Sequence, residues 1–336
     1  MTSLKDVAET CGVSVATVSK ALNNHNDIGE KTRENIKRVA KEMGYLPNVA
    51  ARALKTSRTF EIGVLFVDEA MSGLTHDYFS SVLDSFKRTA EQYGYDITFI
   101  NCCRNRKGRM SYLEHCRYRG FDGVVLACID FEDPEVIELV KSDIPLVTVD
   151  YVFNNRIAVL SDNVNGMKEL LTYAYNMGHR RIAYIHGADS SVTQNRLSSF
   201  YKTAEELNLE IPKEYEKTAA YRDVMAAYKA TNELLSLSDA PTCILYPDDF
   251  AAFGGFNAMW ERGLRVPEDV SLAGYDGIPV SSHLRPRLTT IKQDTIQIGH
   301  VAAVELIGLI EKPKSTIIKQ IVVPGALEEG GSIARI

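Results

Sequence analysis

Residues 4–23, LKDVAETCGVSVATVSKALN, constrain the fold of this chain more than any other stretch. Their first half places apolar side chains on one face of a short helix, at Leu4, Val7, Ala8 and Cys11. Ser3 and Asp6 stand at the spacing of a capping box, and Gly12 supplies the positive φ of a tight turn. Ser14 is placed to cap a second helix. Two short helices joined by a glycine turn predict a helix-turn-helix.

A third amphipathic helix completes a small bundle, with Ile36, Val39, Ala40 and Met43 on one face and Gly44 at its end. This spacing alone leaves open a helical bundle with no DNA role. Residues 1–60 carry ten Lys/Arg against six Asp/Glu, a net charge of +4, whereas the rest of the chain carries 28 against 38, a net charge of −10. A basic head on an acidic body favours a phosphate-binding module joined to another domain.

The next segment, LPNVAARALKT at 46–56, has a helical pattern but little length. Pro47 ends the third helix, and Asn48 can cap a helix of about two turns. So short a helix is unstable alone in water, because nucleation costs more than so few hydrogen bonds return. We therefore expect the segment to fold only when it is docked.

KDVAETCGVSVATVSKALN followed by GYLPNVAARALKTSRT resembles the DNA-binding head and hinge helix of the lactose-repressor/galactose-repressor (LacI/GalR) regulators. The VS.ATVS core, the GY.PN step and the A.R.L hinge stand in the family's order and spacing. The resemblance implies a homodimer that places two recognition helices in successive major grooves of operator DNA, with paired hinge helices in the minor groove. The DNA-binding residues it implies are Ser14, Val15, Ala16, Thr17, Ser19, Lys20, Asn23, Asn48, Ala51, Arg52, Leu54 and Lys55.

These positions have different expected roles on DNA. Lys20 would donate to O6 and N7 of guanine, whereas Val15 and Ala16 would contact thymine methyls or position the helix. Phosphate contacts and packing are expected of Thr17, Ser19 and Asn23. Leu54 matches the family's wedge between the central base pairs, with an ordinary core leucine as the alternative. The resemblance thus predicts a pseudo-palindromic operator with a central CG step.

From residue 60 onward, buried strands alternate with amphipathic helices. The predicted strands are 62–68, 95–101, 122–129, 144–149, one from 157, 181–186, 242–246, 270–275 and 288–293. The predicted helices are 78–94, 106–118, 134–141, 166–177, 196–207, 224–235, 250–262 and 294–312. Continuous β-branched runs of this kind suit parallel sheets covered on both faces. Two successive α/β units predict two doubly wound lobes with a cleft between them.

The resemblance extends through DGVVL (122–126), GHRRIAYIHG (178–187), PDDFAAFG (247–254), GLRVPEDVSLAGYDG (263–277) and RPRLTTI (285–291). It implies a periplasmic-binding-protein-like core whose chain crosses between the lobes three times. The expected fold is thus α plus α/β. The expected domains are a helix-turn-helix head (1–46), a hinge helix (47–59) and a core (60–336). Lobe 1 would hold 60–160 and 291–320, and lobe 2 would hold 161–290 and 321–336. The tail lacks a leucine heptad, which favours a dimer over a tetramer.

Effector-binding residues are expected where strand ends face the cleft. The resemblance places there His76, Asp77, Tyr78, Phe79, Arg196, Arg222, Asp248, Asp249 and Asp276. Carboxylates, arginines and aromatic rings together suit a sugar or related polyol. A nucleoside or purine, a phosphorylated metabolite or a protein coeffector remains the alternative. Structural roles also remain open: Asp249 as a helix N-cap, Tyr78 and Phe79 as core residues, and Arg196 with Asp276 as a salt link between the lobes.

The sequence lacks the motifs that are typical of other protein classes. There is no GxGxxG, Walker, GxSxG or HExxH motif, so we do not expect an enzyme or a cofactor. The six cysteines include no CxxC pair, which indicates neither a disulfide framework nor a zinc site, and we expect no metal. With no apolar 18-residue run and no signal sequence, the expected location is the cytoplasm. A transport receptor with two lobes would need a signal peptide and would not use the basic head.

Overall fold

The computed structural model describes residues 2–22, 24–25, 27–45, 58–68, 72–100 and 110–336. The chain divides into two compact units, residues 1–60 and 61–336, and each is described by itself. Six of the predicted DNA-binding residues lie outside the described residues, namely Asn23, Asn48, Ala51, Arg52, Leu54 and Lys55. The proposed hinge helix therefore stays a prediction.

Among its described residues, the head contains three helices, α1 (Leu4–Cys11), α2 (Val15–Leu22) and α3 (Glu30–Glu42). The predicted capping box is present, because Ser3 Oγ accepts from the Asp6 amide and the Asp6 carboxylate accepts from the Ser3 amide. Gly12 ends α1 with φ 64°, a conformation that costs glycine little. The head core consists of Val7, Ala8, Val18, Ala21, Ile36, Val39 and Ala40. The sequence prediction of a helix-turn-helix is confirmed.

The second unit alternates strands with helices. Its strands are β1 (Glu61–Phe66), β2 (Asp96–Phe99), β3 (Gly123–Ala127), β4 (Leu146–Val149), β5 (Ile157–Ser161), β6 (Ile182–His186), β7 (Glu216–Thr218), β8 (Cys243–Leu245), β9 (Ser271–Ala273), β10 (Thr290–Lys292), β11 (Gln320–Val323) and β12 (Ala326–Glu328). Its α-helices are α4 (Asp77–Gln92), α5 (Tyr112–Arg119), α6 (Pro134–Lys141), α7 (Asn163–Asn176), α8 (Ser191–Glu206), α9 (Val224–Leu235), α10 (Asp249–Glu261) and α11 (Thr295–Glu311). In the described part of this unit, short 3-10 helices span Gly73–Thr75, Lys213–Tyr215 and Pro279–His283.

Two parallel sheets form the two lobes. The first has the order β11-β5-β4-β3-β1-β2, and the second has the order β7-β6-β8-β9. Strands β10 and β12 pair antiparallel in a separate two-stranded sheet. Every residue of β3 and β4 is buried, as expected of central strands covered on both faces by helices. The predicted doubly wound lobes are confirmed.

Several predicted boundaries differ from the structure; for example, the helix predicted over 106–118 begins at Tyr112, because Ser111 caps it. Strand β11 pairs with β5 in the first sheet, so the chain leaves that sheet after Val323 and not at 321 as expected. The remainder of the tail returns to the second lobe, where the Ser332 carbonyl accepts from the Leu272 amide at 2.9 Å. Helix α8 begins at Ser191, five residues earlier than predicted, because Ser190 Oγ caps it through the Thr193 amide. Strands β7, β11 and β12 were not predicted.

Within the described part of the chain, no helix is both long and apolar enough to cross a membrane.

Candidate DNA-reading helix and effector cleft

The outer face of α2 presents the side chains predicted to read bases. Val15, Ala16 and Lys20 are exposed, and the Val15 side chain keeps 46% of its surface open although it is apolar. The opposite face of the helix, with Val18 and Ala21, is buried in the head core. This division leaves one row of α2 side chains available to an outside surface, as a recognition helix requires.

Ser14 and Thr17 shape the start of α2. The Thr17 amide donates to Ser14 Oγ at 3.1 Å, and the two hydroxyl oxygens lie 2.9 Å apart. The predicted cap at Ser14 is therefore present. Ser19 is half-buried on the same helix. Ser14 and Thr17 lie at the helix N-terminus, which is the end that favours phosphate oxygens, whereas Ser19 lies in the middle of the helix.

Lys20 has an ionic partner within the head. Its Nζ lies 2.5 Å from Asp27 Oδ2, and both side chains are about half exposed. The hydrogen bond from Lys20 is the main cause that lowers the pKa of the Asp27 carboxyl. Exposed pairs of this kind contribute little to stability. The pair therefore holds Lys20 in place only weakly.

In the second unit, Tyr78 belongs to a polar network at the carboxyl edge of the first sheet. Its hydroxyl lies 2.7 Å from Asp150 Oδ2 and 2.8 Å from Ser161 Oγ, and the Ser161 amide donates to Asp150 Oδ1 at 2.7 Å. Burial, followed by the Asp150 carboxylate, raises the pKa of Tyr78 well above its usual value. Tyr78 is therefore a buried residue that orients Asp150, which matches the core alternative weighed for it.

Phe79 and His76 lie beside Tyr78. The Phe79 ring contacts the rings of His76 and Tyr78 edge-on, at centroid distances of 5.0 and 4.8 Å. His76 is buried, with 9% of its surface exposed, and it precedes the first residue of α4. Burial and then the nearby Arg222 lower the pKa of the His76 imidazole to about 4. His76 is consequently neutral at pH 7.

Arg196 on α8 is the most heavily engaged cation of the second lobe. It is 3% exposed, its Nε donates to Asn163 Oδ1 at 2.7 Å, and its Nη1 donates to the Pro247 carbonyl at 2.7 Å. Its guanidinium lies 3.5 Å from the centroid of the Tyr275 ring, and Nη2 lies 3.7 Å from Asp276 Oδ1. A buried arginine with this many partners is held in one fixed orientation.

Asp276 completes this cluster from an unusual backbone conformation. Its φ is 100°, a region that costs a residue with a side chain on the order of 1–3 kcal/mol and that concentrates at functional sites. Gln293 Nε2 donates to Asp276 Oδ1 at 2.6 Å. Burial raises the pKa of Asp276 to about 6, while the Arg196 charge opposes that rise. Asp276 can therefore accept hydrogen bonds at neutral pH while 14% of its side chain stays accessible.

The neighbouring acids Asp248 and Asp249 have structural partners. Asp248 is the N-cap of α10: its Oδ1 accepts from the Ala251 amide at 2.6 Å and its Oδ2 from the Arg222 amide at 2.7 Å. The cap considered for Asp249 is thus one residue earlier, because Asp248 has the extended backbone and Asp249 is already helical. Asp249 is fully buried and accepts from Thr290 Oγ1 and the Ile278 amide at 2.6 and 2.8 Å.

Arg222 and Asp77 join the two lobes. Arg222 Nη1 lies 2.9 Å from Asp77 Oδ2, and the guanidinium lies 4.3 Å from the centroid of the Phe250 ring. Asp77 is at the start of α4 in the first lobe, whereas Arg222 lies on the loop before α9 in the second. This ion pair depends directly on the separation of the lobes.

Several residues at this cleft were missed by sequence reasoning: Asp150, Asn163, Tyr275 and Gln293 bond to or contact the predicted residues. Asp150 and Asn163 also line a cavity of about 120 Å³, together with Val192 and Asn195. Asp150 has φ 59°, an uncommon conformation, directly after β4. Its position as a polar residue at the end of a strand was the one sequence signal that could have identified it as a site residue.

Comparison with known proteins places this arrangement in a family. Residues 3–48 match the model of the lacI family of bacterial regulatory proteins, and residues 171–333 match a periplasmic binding protein-like domain. A probable HTH-type transcriptional repressor ExuR from Bacillus subtilis (strain 168) is 30% identical over 94% of this chain and 93% of its own length. The chain belongs to the lacI family. It is a DNA-binding transcriptional repressor of that family.

Two further relatives agree with this assignment. The HTH-type transcriptional repressor PurR of Escherichia coli O1:K1 / APEC is 30% identical over 94% of this chain and 93% of its own length. The crystal structure of the lac repressor dimer bound to operator and the anti-inducer ONPF is 26% identical, covers 99% of each chain and gives a TM-score of 0.81.

Proposed function

We propose that this lacI-family protein binds a pseudo-palindromic operator as a homodimer, and that a sugar or related polyol in the cleft between its lobes controls that binding. The cluster of Arg196, Tyr275 and Asp276 is the observation that carries the proposal. It combines a buried cation, an aromatic face and a carboxylate in a strained backbone, at the point where the chain passes between the lobes.

The chemistry of the cleft favours a neutral ligand with several hydroxyl groups. Asp276 and Asp150 offer carboxylate oxygens that accept from hydroxyls, while the half-buried Phe79 ring can cover an apolar ring face. Arg196 donates through Nη2, because its Nε and Nη1 already donate to Asn163 and Pro247. A site with more acceptors than available donors suits hydroxyl groups.

The same inventory weighs against a phosphorylated ligand. A phosphate group would approach Asp150 and Asp276, which repel it, and would receive few donors from the already engaged Arg196. A nucleoside or purine remains the second candidate, since its base can stack on an aromatic ring and its ribose carries hydroxyls. A protein coeffector would act without filling the cleft.

The ion pair between the lobes links a ligand in the cleft to the arrangement of the lobes, and through it to DNA binding. Any ligand that changes the separation of the lobes changes the Asp77–Arg222 distance, which is 2.9 Å in this structure. The coupling between the cleft and the DNA site is expected to be about 1–3 kcal/mol, equivalent to a roughly 5–150-fold change in operator affinity. An inducer would lower the affinity, and a corepressor would raise it.

On the DNA side, we propose that Lys20 donates to a guanine in each half-site and that Val15 and Ala16 contact thymine methyls. Ser14, Thr17, Ser19 and Asn23 would bind phosphates. In the hinge, Asn48, Ala51, Arg52 and Lys55 would follow the minor groove while Leu54 wedges apart a central CG step. The lac repressor dimer bound to operator supports the dimeric assembly.

A thermal-shift screen tests the ligand proposal. Sugars, sugar phosphates, polyols, nucleosides and purines are each added to the purified chain at a high concentration. A ligand at about one hundred times its Kd should stabilise the folded protein by roughly 2.7 kcal/mol, a shift of several degrees. Sugars or polyols are expected to give the largest shift, and a shift from nucleosides or sugar phosphates alone would contradict the proposal.

Variants locate the ligand within the molecule. Asp276→Asn and Arg196→Lys should abolish the shift, because each removes charge or geometry that the ligand uses. Asp239→Asn and Arg181→Lys are matched controls, since Arg181 and Asp239 form an ion pair at the surface of the second lobe. The controls should keep the shift. Equal shifts in all four variants would place the ligand outside this cluster.

A further inference from the structure

Three potential metal ligands converge at the carboxyl edge of the first sheet. Asp68 follows β1, Cys128 follows β3, and His76 precedes α4. One ligand atom from each side chain, a carboxylate oxygen, the Cys128 sulfur and a His76 ring nitrogen, lies within 4.8 Å of the other two. The sheet explains this proximity, because β1 and β3 are parallel neighbours and the Val67 amide donates to the Cys128 carbonyl at 3.0 Å.

His76 carries the clearest sign of a missing partner. Within the described part of the chain, its buried Nδ1 meets no hydrogen-bond partner. Such an atom is costly, because it has lost water without gaining a replacement bond. An imidazole nitrogen is a common ligand of zinc in proteins.

The other two ligands are suitably prepared. Asp68 Oδ2 accepts from the amides of Ser72 and Gly73 at 2.8 and 3.0 Å, and from the Ser72 hydroxyl, so that the carboxylate is held in one orientation. Supporting hydrogen bonds of this kind orient ligands around metal ions. Cys128 is half-buried and has φ 51°, a backbone conformation that is rarely adopted without a reason in the surrounding structure.

We propose that Asp68, His76 and Cys128 bind one Zn²⁺ ion. A thiolate with an imidazole and a single carboxylate suits this borderline-soft ion and disfavours Mg²⁺ and Ca²⁺, which prefer oxygen ligands. Ligand atoms around tetrahedral zinc stand about 3.3–3.8 Å apart, as bonds of about 2.0–2.3 Å require. The three ligand atoms, which lie within 4.8 Å of one another, therefore need to close by at most about 1–1.5 Å. Three protein ligands leave the fourth position open.

This site is separate from the Arg196–Asp276 cluster and does not depend on the identity of the effector. The site is nevertheless adjacent in sequence to the ion pair between the lobes, because His76 directly precedes Asp77, which pairs with Arg222 of the second lobe. Bound zinc would fix the turn that carries Asp77. Zinc is therefore expected to stabilise the second unit of the chain.

Metal titration of the full, chelator-stripped and reduced chain tests the proposal. Zinc is titrated against a chromophoric chelator, and Co²⁺ serves as a spectroscopic probe. The expected results are one zinc per chain and, with Co²⁺, a near-ultraviolet thiolate charge-transfer band with the strong visible bands of a four-coordinate site. Cys128→Ser and His76→Gln should each weaken zinc binding by more than about a hundredfold and should remove the charge-transfer or visible bands.

Controls distinguish this site from other thiols and imidazoles. Cys11→Ser, in the head unit, and His283→Gln are matched substitutions at residues outside the set of three ligands, and both should keep wild-type affinity. Cys102 and Cys103 lie outside the described residues, so the double variant Cys102→Ser/Cys103→Ser is also required, and it should bind zinc normally. Loss of binding in that double variant would overturn the proposal, as would unchanged binding in Cys128→Ser.

Folding is checked by thermal melts without metal. If either ligand variant is unfolded, the other variant and the wild-type cobalt spectrum decide the question. Zinc should raise the melting temperature of the wild type and leave that of Cys128→Ser unchanged. A cobalt spectrum without a thiolate band, or less than about a tenth of a zinc ion per wild-type chain at saturation, contradicts the site.

Discussion

The head and the cleft hold their functional side chains in opposite ways. On α2, Lys20 is half exposed and its ionic partner Asp27 is seven positions away on the same unit. In the cleft, Arg196 is buried, and the residues that accept from it are 33 and 51 positions away. Changes on the head should therefore alter DNA binding without altering stability, whereas changes in the cleft should alter stability and the response to the ligand.

The largest expected effect is on stability, from a substitution in the buried cleft. Asp249→Ala leaves the Thr290 hydroxyl and the Ile278 amide without their acceptor in a fully buried position. We expect a loss of about 3 kcal/mol, because each unsatisfied buried group costs about 1–3 kcal/mol. Urea unfolding measures it. Asp269→Ala, at an exposed and locally paired acid, is the control and should cost less than about 0.5 kcal/mol. Equal losses would contradict the account.

A pH titration sharpens the same contrast at Asp276. Burial raises its folded pKa to about 6, so the folded protein keeps this proton over a range in which the unfolded chain has lost it. The resulting stability is fully present below the unfolded pKa of about 4 and is lost as pH rises through about 6. Between pH 4.5 and 7 the wild type should lose about 2 kcal/mol more than Asp276→Asn. Identical pH profiles of unfolding free energy would exclude this titration.

On the head, Lys20→Ala should reduce operator affinity by about 1–3 kcal/mol, because one base contact is lost. Its unfolding free energy should change by less than about 0.5 kcal/mol, since the Lys20–Asp27 pair is exposed. Fluorescence anisotropy with labelled operator and urea unfolding give the two numbers. Lys5→Ala, on the exposed face of α1, should change neither. A loss of stability larger than the loss of affinity would reverse the distinction drawn between head and cleft.

The smallest of these effects concerns the hinge. Replacing a central CG step of the operator with AT should weaken binding at least about tenfold, because the proposed Leu54 wedge depends on the deformability of that step. The Leu54→Ala protein should bind both operators with the same weakened affinity and should retain the thermal shift caused by the cleft ligand. A Leu54→Ala protein that still distinguishes the two operators would remove the wedge from the mechanism.

The sequence predicted the head well because its signals are local. Ser3 and Asp6 are three residues apart, and Gly12 marks the turn on its own. Most strands of the core were found for a similar reason, since their runs of β-branched residues are continuous. Strand β7 was missed because its sequence, Glu-Lys-Thr at 216–218, contains no apolar run.

For the cleft, the sequence predicted many of the residues but not their individual roles. The first residue of α10 decides which of Asp248 and Asp249 caps the helix. Asp248 is the N-cap, whereas Asp249, one residue later, is buried and accepts a hydrogen bond from Thr290. Asp150 and Gln293 escaped because only the folded chain brings them to Tyr78 and Asp276. The three proposed zinc ligands come from three separate segments, so no spacing motif reveals them.

The most direct test of the account measures operator affinity with and without the sugar or polyol that gives the largest thermal shift. Labelled operator is titrated with the full chain at fixed ionic strength, because phosphate contacts make affinity depend on salt. The account predicts a change of at least about fivefold, in either direction, which Asp276→Asn abolishes while its affinity without ligand is preserved. A ligand that stabilises the protein through Asp276 but leaves operator affinity unchanged would contradict the coupling between cleft and head.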